Sequence, residues 1–127
     1  MNKDKINIGV IGAGQTGAPL IEKLGEAAFI NFVGIADLDN NAPGMVYARE
    51  KGIKTTNDFM DLAKVGPNID IIIEVTGVQD VKKQLRDYFQ QTENRHTVIM
   101  QELVAILLMS LAKGELVKMF HGDQSYQ

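Results

Sequence analysis

Cysteine is absent from this sequence of 127 residues. Its absence excludes disulfide bonds, thiolate metal sites and a cysteine nucleophile within the sequence, and it fits a reducing compartment. Long apolar runs are also scarce, since the longest, 103–112, is shorter than the roughly 20 residues that cross a bilayer. The amino-terminal stretch has neither the continuous apolar region nor the small-residue cleavage site of a signal peptide. We therefore predict a cytoplasmic protein with no membrane partner.

Charge of one sign is not concentrated anywhere along the chain. The 13 basic and 16 acidic residues are mixed and give a net charge of −3. Without a basic stripe, the sequence predicts no nucleic-acid partner. The length fits one domain, which we place at 1–120, followed by a tail at 121–127 predicted to be disordered.

What the sequence does have is a regular alternation of short apolar, β-branched runs with segments of helical period. Strands are predicted at 6–11, 31–37, 53–55, 69–77 and 96–100, and helices at 15–28, 42–52, 56–63, 78–90 and from 102 as far as 120. Such alternation predicts an α/β fold with a parallel sheet covered on both faces. Right-handed crossovers, with a reversal after the third strand, give the order 3-2-1-4-5 of a Rossmann-type doubly wound sheet with a C-terminal helix.

A glycine motif follows the first predicted strand. Gly12, Gly14 and Gly17 have the spacing G-x-G-x-x-G between a buried strand and a helix. The first glycine permits a tight turn, the second lets the backbone approach a pyrophosphate, and the third lets the helix pack closely on the strand. The free N–H groups of the helix N-terminus favour phosphate binding. We predict a dinucleotide site here that also includes Gln15 and Thr16.

An acidic residue ends the second predicted strand, 20 residues after Gly17. Asp37 is placed to accept hydrogen bonds from the hydroxyls of the adenosine ribose and would repel a 2′-phosphate, so NAD is favoured over NADP. Asp39 is close enough to be the alternative candidate. A purely structural alternative for Asp37 is a loop carboxylate that caps the following turn.

The fourth predicted strand ends in EVTG, residues 74–77. Because ligands bind where the strand order reverses, outside the carboxyl ends of strands one and four, Thr76 and Gly77 are predicted to lie beside the cofactor. Glu74 either faces a helix layer, paired with a lysine, or points at the site. The first arrangement, in which Glu74 has a structural role and faces a helix layer, is favoured.

Taken together and in order, the segments IGVIGAGQTG, FVGIAD, GIKTTNDFMDL, IDIIIEVTG and RHTVIMQE carry a family resemblance over roughly residues 5–102. The chain resembles the N-terminal domain of the glucose–fructose oxidoreductase / inositol dehydrogenase family and also the cofactor domain of homoserine dehydrogenases. This resemblance implies NAD(P)-dependent oxidoreductase ancestry. It implies cofactor contacts at Gly12, Gly14, Gly17, Asp37, Thr76 and Gly77.

Two departures from that family bear on catalysis. Its members usually have Glu-Lys-Pro at the end of the fifth strand, with the lysine in the active site, whereas this chain has Met100, Gln101 and Glu102. A glutamine cannot take over the proton transfer or charge stabilisation of a lysine. The family's separate substrate domain also has no counterpart after Met100. We therefore assign no catalytic residue.

The two histidines, His96 and His121, have no metal-ligand spacing, and we assign no metal site. The segment 102–120 has a different role, because residues 103–109 have no polar face. A helix apolar on all sides must be covered on more than one side. We expect a partner subunit to cover it in a homodimer, and the alternative is complete burial against its own sheet.

Three functional hypotheses follow. The first is a non-catalytic NAD(H)-binding module, either a sensor or regulatory domain or part of a larger protein. The alternative is the cofactor-binding half of an NAD-dependent dehydrogenase whose catalytic domain is missing or lies on another chain. The third is a domain that has lost its cofactor and serves in assembly through 102–120.

Overall fold

The structure is a computed structural model that describes residues 4–117 and contains one five-stranded parallel sheet. The strands are β1 (Ile6–Ile11), β2 (Ile30–Ala36), β3 (Thr55–Thr56), β4 (Ile71–Glu74) and β5 (Val98–Gln101). Their order is β3-β2-β1-β4-β5, with parallel pairing throughout. The predicted α/β fold and strand order are confirmed. The tail predicted at 121–127 lies outside the described residues.

Five α-helices connect and follow the strands. They are α1 (Gly17–Gly25), α2 (Pro43–Glu50), α3 (Met60–Val65), α4 (Gln79–Gln91) and α5 (Glu102–Lys113), with a short 3-10 helix (Gly66–Asn68) after α3. The prediction started α1 two residues early because Gln15 and Thr16 belong to the loop that precedes it. Pro19 lies in the first turn of α1, where its missing N–H is tolerated.

Two apolar clusters, one on each face of the sheet, form the core. One face is covered by α1, α2 and the buried side of α5, and the other by α3 and α4. The central strand β1 contributes to both, since Val10 and Ile11 are buried on opposite faces. Burial on both faces explains why the central strands β1 and β4 are largely apolar runs rather than alternating ones. Within residues 4–117, no helix has the length and apolar character needed to cross a bilayer.

The last described helix is shorter than predicted. The prediction extended α5 as far as 120, but it ends at Lys113, and Gly114 closes it in the left-handed region with φ 85°. Glycine adopts this backbone conformation without a steric penalty, so it is the usual residue after a helix end. The prediction was wrong in its C-terminal limit, and residues 118–120 lie outside the described part of the chain.

Complete burial of α5 against its own sheet is also wrong. Only Glu102, Ala105 and Ile106 of this helix are buried. The exposed apolar side chains form one surface, here called the α5 face, made of Leu103, Val104, Leu107, Leu108 and Leu111. Leu107 is 54% and Leu111 71% exposed. The sheet covers one side of this helix, and no part of residues 4–117 covers the α5 face.

Asp70, just before β4, connects the amino-terminal ends of three strands. Its Oδ2 accepts the N–H of Asn7 at 2.8 Å, and its Oδ1 lies 2.7 Å from Nε2 of His96. The backbone hydrogen bond from Asn7, followed by the bond with His96, lowers the pKa of this carboxyl group below its ordinary value. The folded state therefore prefers the ionised form of Asp70.

Asp70→Asn is expected to destabilise the fold at pH 7 by about 1 kcal/mol and to have a progressively smaller effect as the pH falls below about 4. A lowered pKa in the folded state contributes stability above the ordinary pKa of about 4, and this contribution is lost as the pH falls through the folded value. Urea denaturation at pH 7, 5 and 3 measures the difference. Asp87→Asn, which removes an exposed pair with Lys83, is the control. A difference from wild type that is independent of pH would contradict the expectation.

Candidate functional site

The glycine loop between β1 and α1 has three glycines in three different environments. Gly12 has φ 105°, a conformation that side chains rarely adopt. A Cβ on Gly17 would lie 1.9 Å from the carbonyl oxygen of Gly12, so no side chain fits there. Apart from its chain neighbours, a Cβ on Gly14 would meet no atom of residues 4–117 within 4 Å. The fold therefore requires glycine at positions 12 and 17, whereas position 14 borders open space.

Asp37 follows β2 and reaches back to the glycine loop. Its Oδ2 accepts the N–H of Ala13 at 2.7 Å, and its Oδ1 accepts the N–H of Asp39 at 2.9 Å. The capping role considered from the sequence is thus real, but the same carboxylate also connects β2 to the glycine loop. An ionised carboxylate offers about four acceptor positions, so two remain for further donors. Asp39 caps its own turn through the N–H of Asn41, at 2.8 Å.

A cleft of about 520 Å³ opens along the glycine loop at the carboxyl ends of the strands. It is of the size that small-molecule sites have in proteins. Seven of the eight predicted site residues line it: Gly12, Gly14, Gln15, Thr16, Gly17, Asp37 and Thr76. Gly77 is not among the lining residues, and with φ 74° it forms the turn between β4 and α4. Gly77 therefore contributes to the backbone turn behind the cleft and not to the cleft surface.

Sequence reasoning missed the largely apolar side chains that complete the cleft. These are Leu38 after β2, Asn57 and Phe59 before α3, and Val78 and Val81 at the start of α4. Asn57 donates to the carbonyl oxygen of Asp37 at 2.9 Å and to Oδ1 of Asn40 at 2.7 Å, so it holds the loop that follows β2. The available signal was position, because each of these residues follows a strand at the edge where ligands bind.

Glu74 forms neither of the arrangements proposed from the sequence. It is fully buried, and its Oε2 accepts both the backbone N–H of Thr76, at 2.7 Å, and the Thr76 hydroxyl. The lysine ion pairs within residues 4–117 involve other carboxylates than Glu74, and Glu74 does not line the cleft. The carboxylate is a structural support of the turn after β4.

One polar atom in the cleft has no partner in the described structure. The Oγ1 atom of Thr16 is buried and forms no hydrogen bond with any residue from 4 to 117. Thr16 lines the cleft immediately before α1, in whose first turn the N–H of Ala18 donates to the carbonyl oxygen of Gly14 at 2.8 Å and Pro19 has no N–H. The end of the glycine loop therefore offers the Thr16 hydroxyl and the partial positive charge of the helix end to a ligand.

The structure also locates the groups considered for chemistry. His96 is engaged with Asp70 at the amino-terminal edge of the sheet, away from the cleft, and His121 lies outside the described residues. Between residues 4 and 117, no three His, Asp or Glu side chains are grouped so that they could hold a metal ion. At the end of β5, Gln101 is exposed and Glu102 is buried, and neither lines the cleft.

No family model matches the sequence. Acetaldehyde dehydrogenase from Leptothrix cholodnii is 40% identical over 57 residues, which are 45% of this chain and 19% of that enzyme. Acetaldehyde dehydrogenase from Chloroflexus aurantiacus strain J-10-fl is 28% identical over 80 residues, 62% of this chain and 26% of the enzyme. The chain thus spans about a fifth to a quarter of the length of these curated relatives.

Solved structures match more of the chain at lower identity. Homoserine dehydrogenase from Staphylococcus aureus has a TM-score of 0.59 at 19% identity, over 87% of this chain and 30% of that one. The myo-inositol 2-dehydrogenase from Lactobacillus plantarum has a TM-score of 0.52 at 14% identity, over 76% and 36%. The WlbA dehydrogenase from Chromobacterium violaceum, solved with NADH and UDP-GlcNAcA, has a TM-score of 0.58 at 12% identity, over 91% and 34%. The resemblance to inositol and homoserine dehydrogenases is confirmed as a resemblance of the Rossmann fold.

Proposed function

We propose that the chain binds NAD or NADH in the cleft along the glycine loop. The observation that carries the proposal is the environment of Gly14. Its missing side chain leaves space that no protein atom within 4 Å fills, on a loop where the neighbouring glycines are required by the fold. A pyrophosphate that approaches the backbone at this point uses that space.

The other groups of the cleft fit the same ligand. The helix N-terminus of α1 and the buried hydroxyl of Thr16 supply donors and positive potential for phosphate oxygens. Asp37 retains acceptor positions for the two hydroxyls of the adenosine ribose, and Leu38 and Phe59 supply apolar surface beside them for the adenine. The carboxylate would repel a 2′-phosphate, which supports NAD over NADP.

We infer that the chain is a binding module without catalysis of its own, either a sensor or regulatory domain or part of a larger protein. The end of β5 supports this inference, because Gln101 stands where the family resemblance expects the active-site lysine. The alternative is the cofactor-binding half of an NAD-dependent dehydrogenase. The 40% identity to an acetaldehyde dehydrogenase over 57 residues favours that alternative. A cytoplasmic location stays a prediction.

Titration with NADH, followed by nicotinamide fluorescence, tests the binding proposal. Saturable binding is expected, and Asp37→Ala is expected to weaken it roughly 10- to 100-fold, since a hydrogen bond to a charged group contributes about 1.5–3 kcal/mol. The same variant should lose the preference for NADH over NADPH. Asp39→Ala, on the same loop but bonded to its own turn, is the control and should bind normally.

Absence of saturable binding by the wild type would refute the proposal and favour the assembly hypothesis. Turnover of NAD with polyol, sugar or aldehyde substrates by this chain alone would instead support a complete dehydrogenase. Unchanged NADH affinity in Asp37→Ala would remove Asp37 from the site while leaving the glycine loop to be tested separately.

We also propose that a second copy of the chain covers the α5 face. Five apolar side chains lie on one helix surface and are each at least 44% exposed. A continuous apolar patch of this kind is typical of an interaction site. Two such helices related by a twofold axis would place leucines against leucines, which is the self-complementary arrangement of a symmetric dimer. Light scattering of the wild type and of Leu107→Glu tests this contact.

A further inference from the structure

Glu74 and Thr76 form a hydrogen-bonded chain that shapes one wall of the cleft. Oε2 of Glu74 accepts the backbone N–H of Thr76, at 2.7 Å, and its hydroxyl. The hydroxyl oxygen of Thr76, Oγ1, in turn accepts the N–H of Val78 at 3.0 Å. Both donors of Thr76 are therefore used inside the turn, and its hydroxyl hydrogen is not available to a ligand.

The three residues of this hydrogen-bonded series lie at different distances from the cleft surface. Thr76 and Val78 line the cleft, whereas Glu74 is 0% exposed and does not. Glu74 therefore makes no direct contact with the cleft, and its hydrogen bonds reach the cleft through Thr76. The wall also lies at the end of β4, across β1 from Asp37 at the end of β2. With the adenosine ribose at Asp37 and the pyrophosphate on the glycine loop, the nicotinamide end of the ligand would reach this wall.

The support of the turn uses only one of the two oxygens of the Glu74 carboxylate. Its second oxygen, Oε1, is buried and has no hydrogen-bond partner among residues 4–117. Burying a carboxylate with incomplete hydrogen bonding is unfavourable relative to an apolar side chain of similar volume. The favourable interactions that the structure shows for this side chain are those that hold Thr76.

We propose that Glu74 is a positioning residue for the nicotinamide half of the dinucleotide, an inference that rests on the proposed NAD(H) binding. Glu74 orients Thr76 so that it presents its methyl group and a fixed backbone to the ligand rather than a mobile hydroxyl. The adenosine half does not depend on this wall. A change at Glu74 should therefore affect binding of the nicotinamide half and not of the adenosine half.

The experiment compares NADH with ADP-ribose, which lacks the nicotinamide. NADH affinity is measured by fluorescence and ADP-ribose affinity by calorimetry. In Glu74→Leu, which keeps the volume but removes the acceptor, NADH binding should weaken roughly tenfold while ADP-ribose binding changes by less than about twofold. Glu74→Gln, whose amide oxygen can accept the same two bonds, should restore NADH binding.

Thr76→Val is the second variant, for use if Glu74→Leu does not fold. It keeps the backbone bond to Glu74 and removes only the hydroxyl, so the fold should be preserved. It should weaken NADH binding roughly threefold, again without an effect on ADP-ribose. Equal loss of both ligands would show a merely structural role and overturn the inference, as would unchanged NADH affinity in Thr76→Val and Glu74→Leu. A wild type that binds neither ligand would instead refute the proposed function, and the inference with it.

Discussion

Gly14→Ala is expected to weaken NADH binding roughly 10- to 100-fold and to leave the thermal unfolding midpoint unchanged. The new methyl group would meet no protein atom within 4 Å, and Gly14 is not among the residues with positive φ. The substitution therefore introduces neither a steric clash nor backbone strain in the folded state. The methyl group would occupy the space in which a pyrophosphate approaches the loop, and overpacking of this kind costs about 1–3 kcal/mol.

Gly17→Ala is the matched variant on the same loop. Its Cβ would lie 1.9 Å from the carbonyl oxygen of Gly12, so the loop and α1 must separate. We expect destabilisation of about 3 kcal/mol and a fall of roughly 10 °C in the midpoint. Circular dichroism measures stability and NADH fluorescence measures binding for both variants. Normal NADH binding by Gly14→Ala, or a loss of stability equal to that of Gly17→Ala, would contradict the assignment of Gly14 to the ligand.

Leu107→Glu is expected to convert a dimer into a monomer. Leu107 lies in the middle of the α5 face and is 54% exposed in the single chain. In a symmetric contact the substitution places two carboxylates in an apolar interface, where unpaired charge is strongly unfavourable. Light scattering over a concentration series measures the mass, and the NADH titration shows whether the fold and the cleft are retained.

Val65→Glu is the control for the added charge. Val65 ends α3 on the opposite face of the sheet and is 39% exposed, so the substitution should leave the dimer intact. A wild type that is monomeric at every concentration would refute the homodimer. So would a dimer that persists in Leu107→Glu, because the contact would then lie elsewhere on the surface.

Local patterns predicted most of the fold. The central strands β1 and β4 were recognisable as short β-branched runs, since strands buried on both faces have no polar alternation to confuse with another structure. The third strand was predicted at 53–55, whereas β3 is Thr55–Thr56. Boundaries were less accurate where backbone geometry intervenes. The fourth strand was extended through Gly77, although the chain leaves the sheet after Glu74 to form the turn that Gly77 closes. Likewise α5 ends at Lys113, because Gly114 is a stop signal inside a segment interpreted as helical throughout.

Some residues of the cleft could likewise be predicted from the sequence, and others could not. The presence of Gly12, Gly14, Gly17, Asp37 and Thr76 at the cleft was predictable because it depends on spacing along the chain, and spacing is visible in a sequence. Asn57 and Phe59 were not, because they belong to a separate strand connection and reach the cleft only when β3 pairs with β2. The bond from Ala13 to Asp37 also joins residues that are 24 positions apart.

The amino-acid pattern alone was enough for the parallel sheet, its strand order and the three-glycine loop, since these follow from periodicity and from the conformational freedom of glycine. Folding in three dimensions settled which side chains share a surface. It showed that Gly17 is a packing requirement and Gly14 is not, that Glu74 holds Thr76 rather than a lysine, and that α5 exposes its leucines. The physical reason is that contact and burial depend on distance in space, and residues far apart in the sequence become neighbours only when the sheet forms.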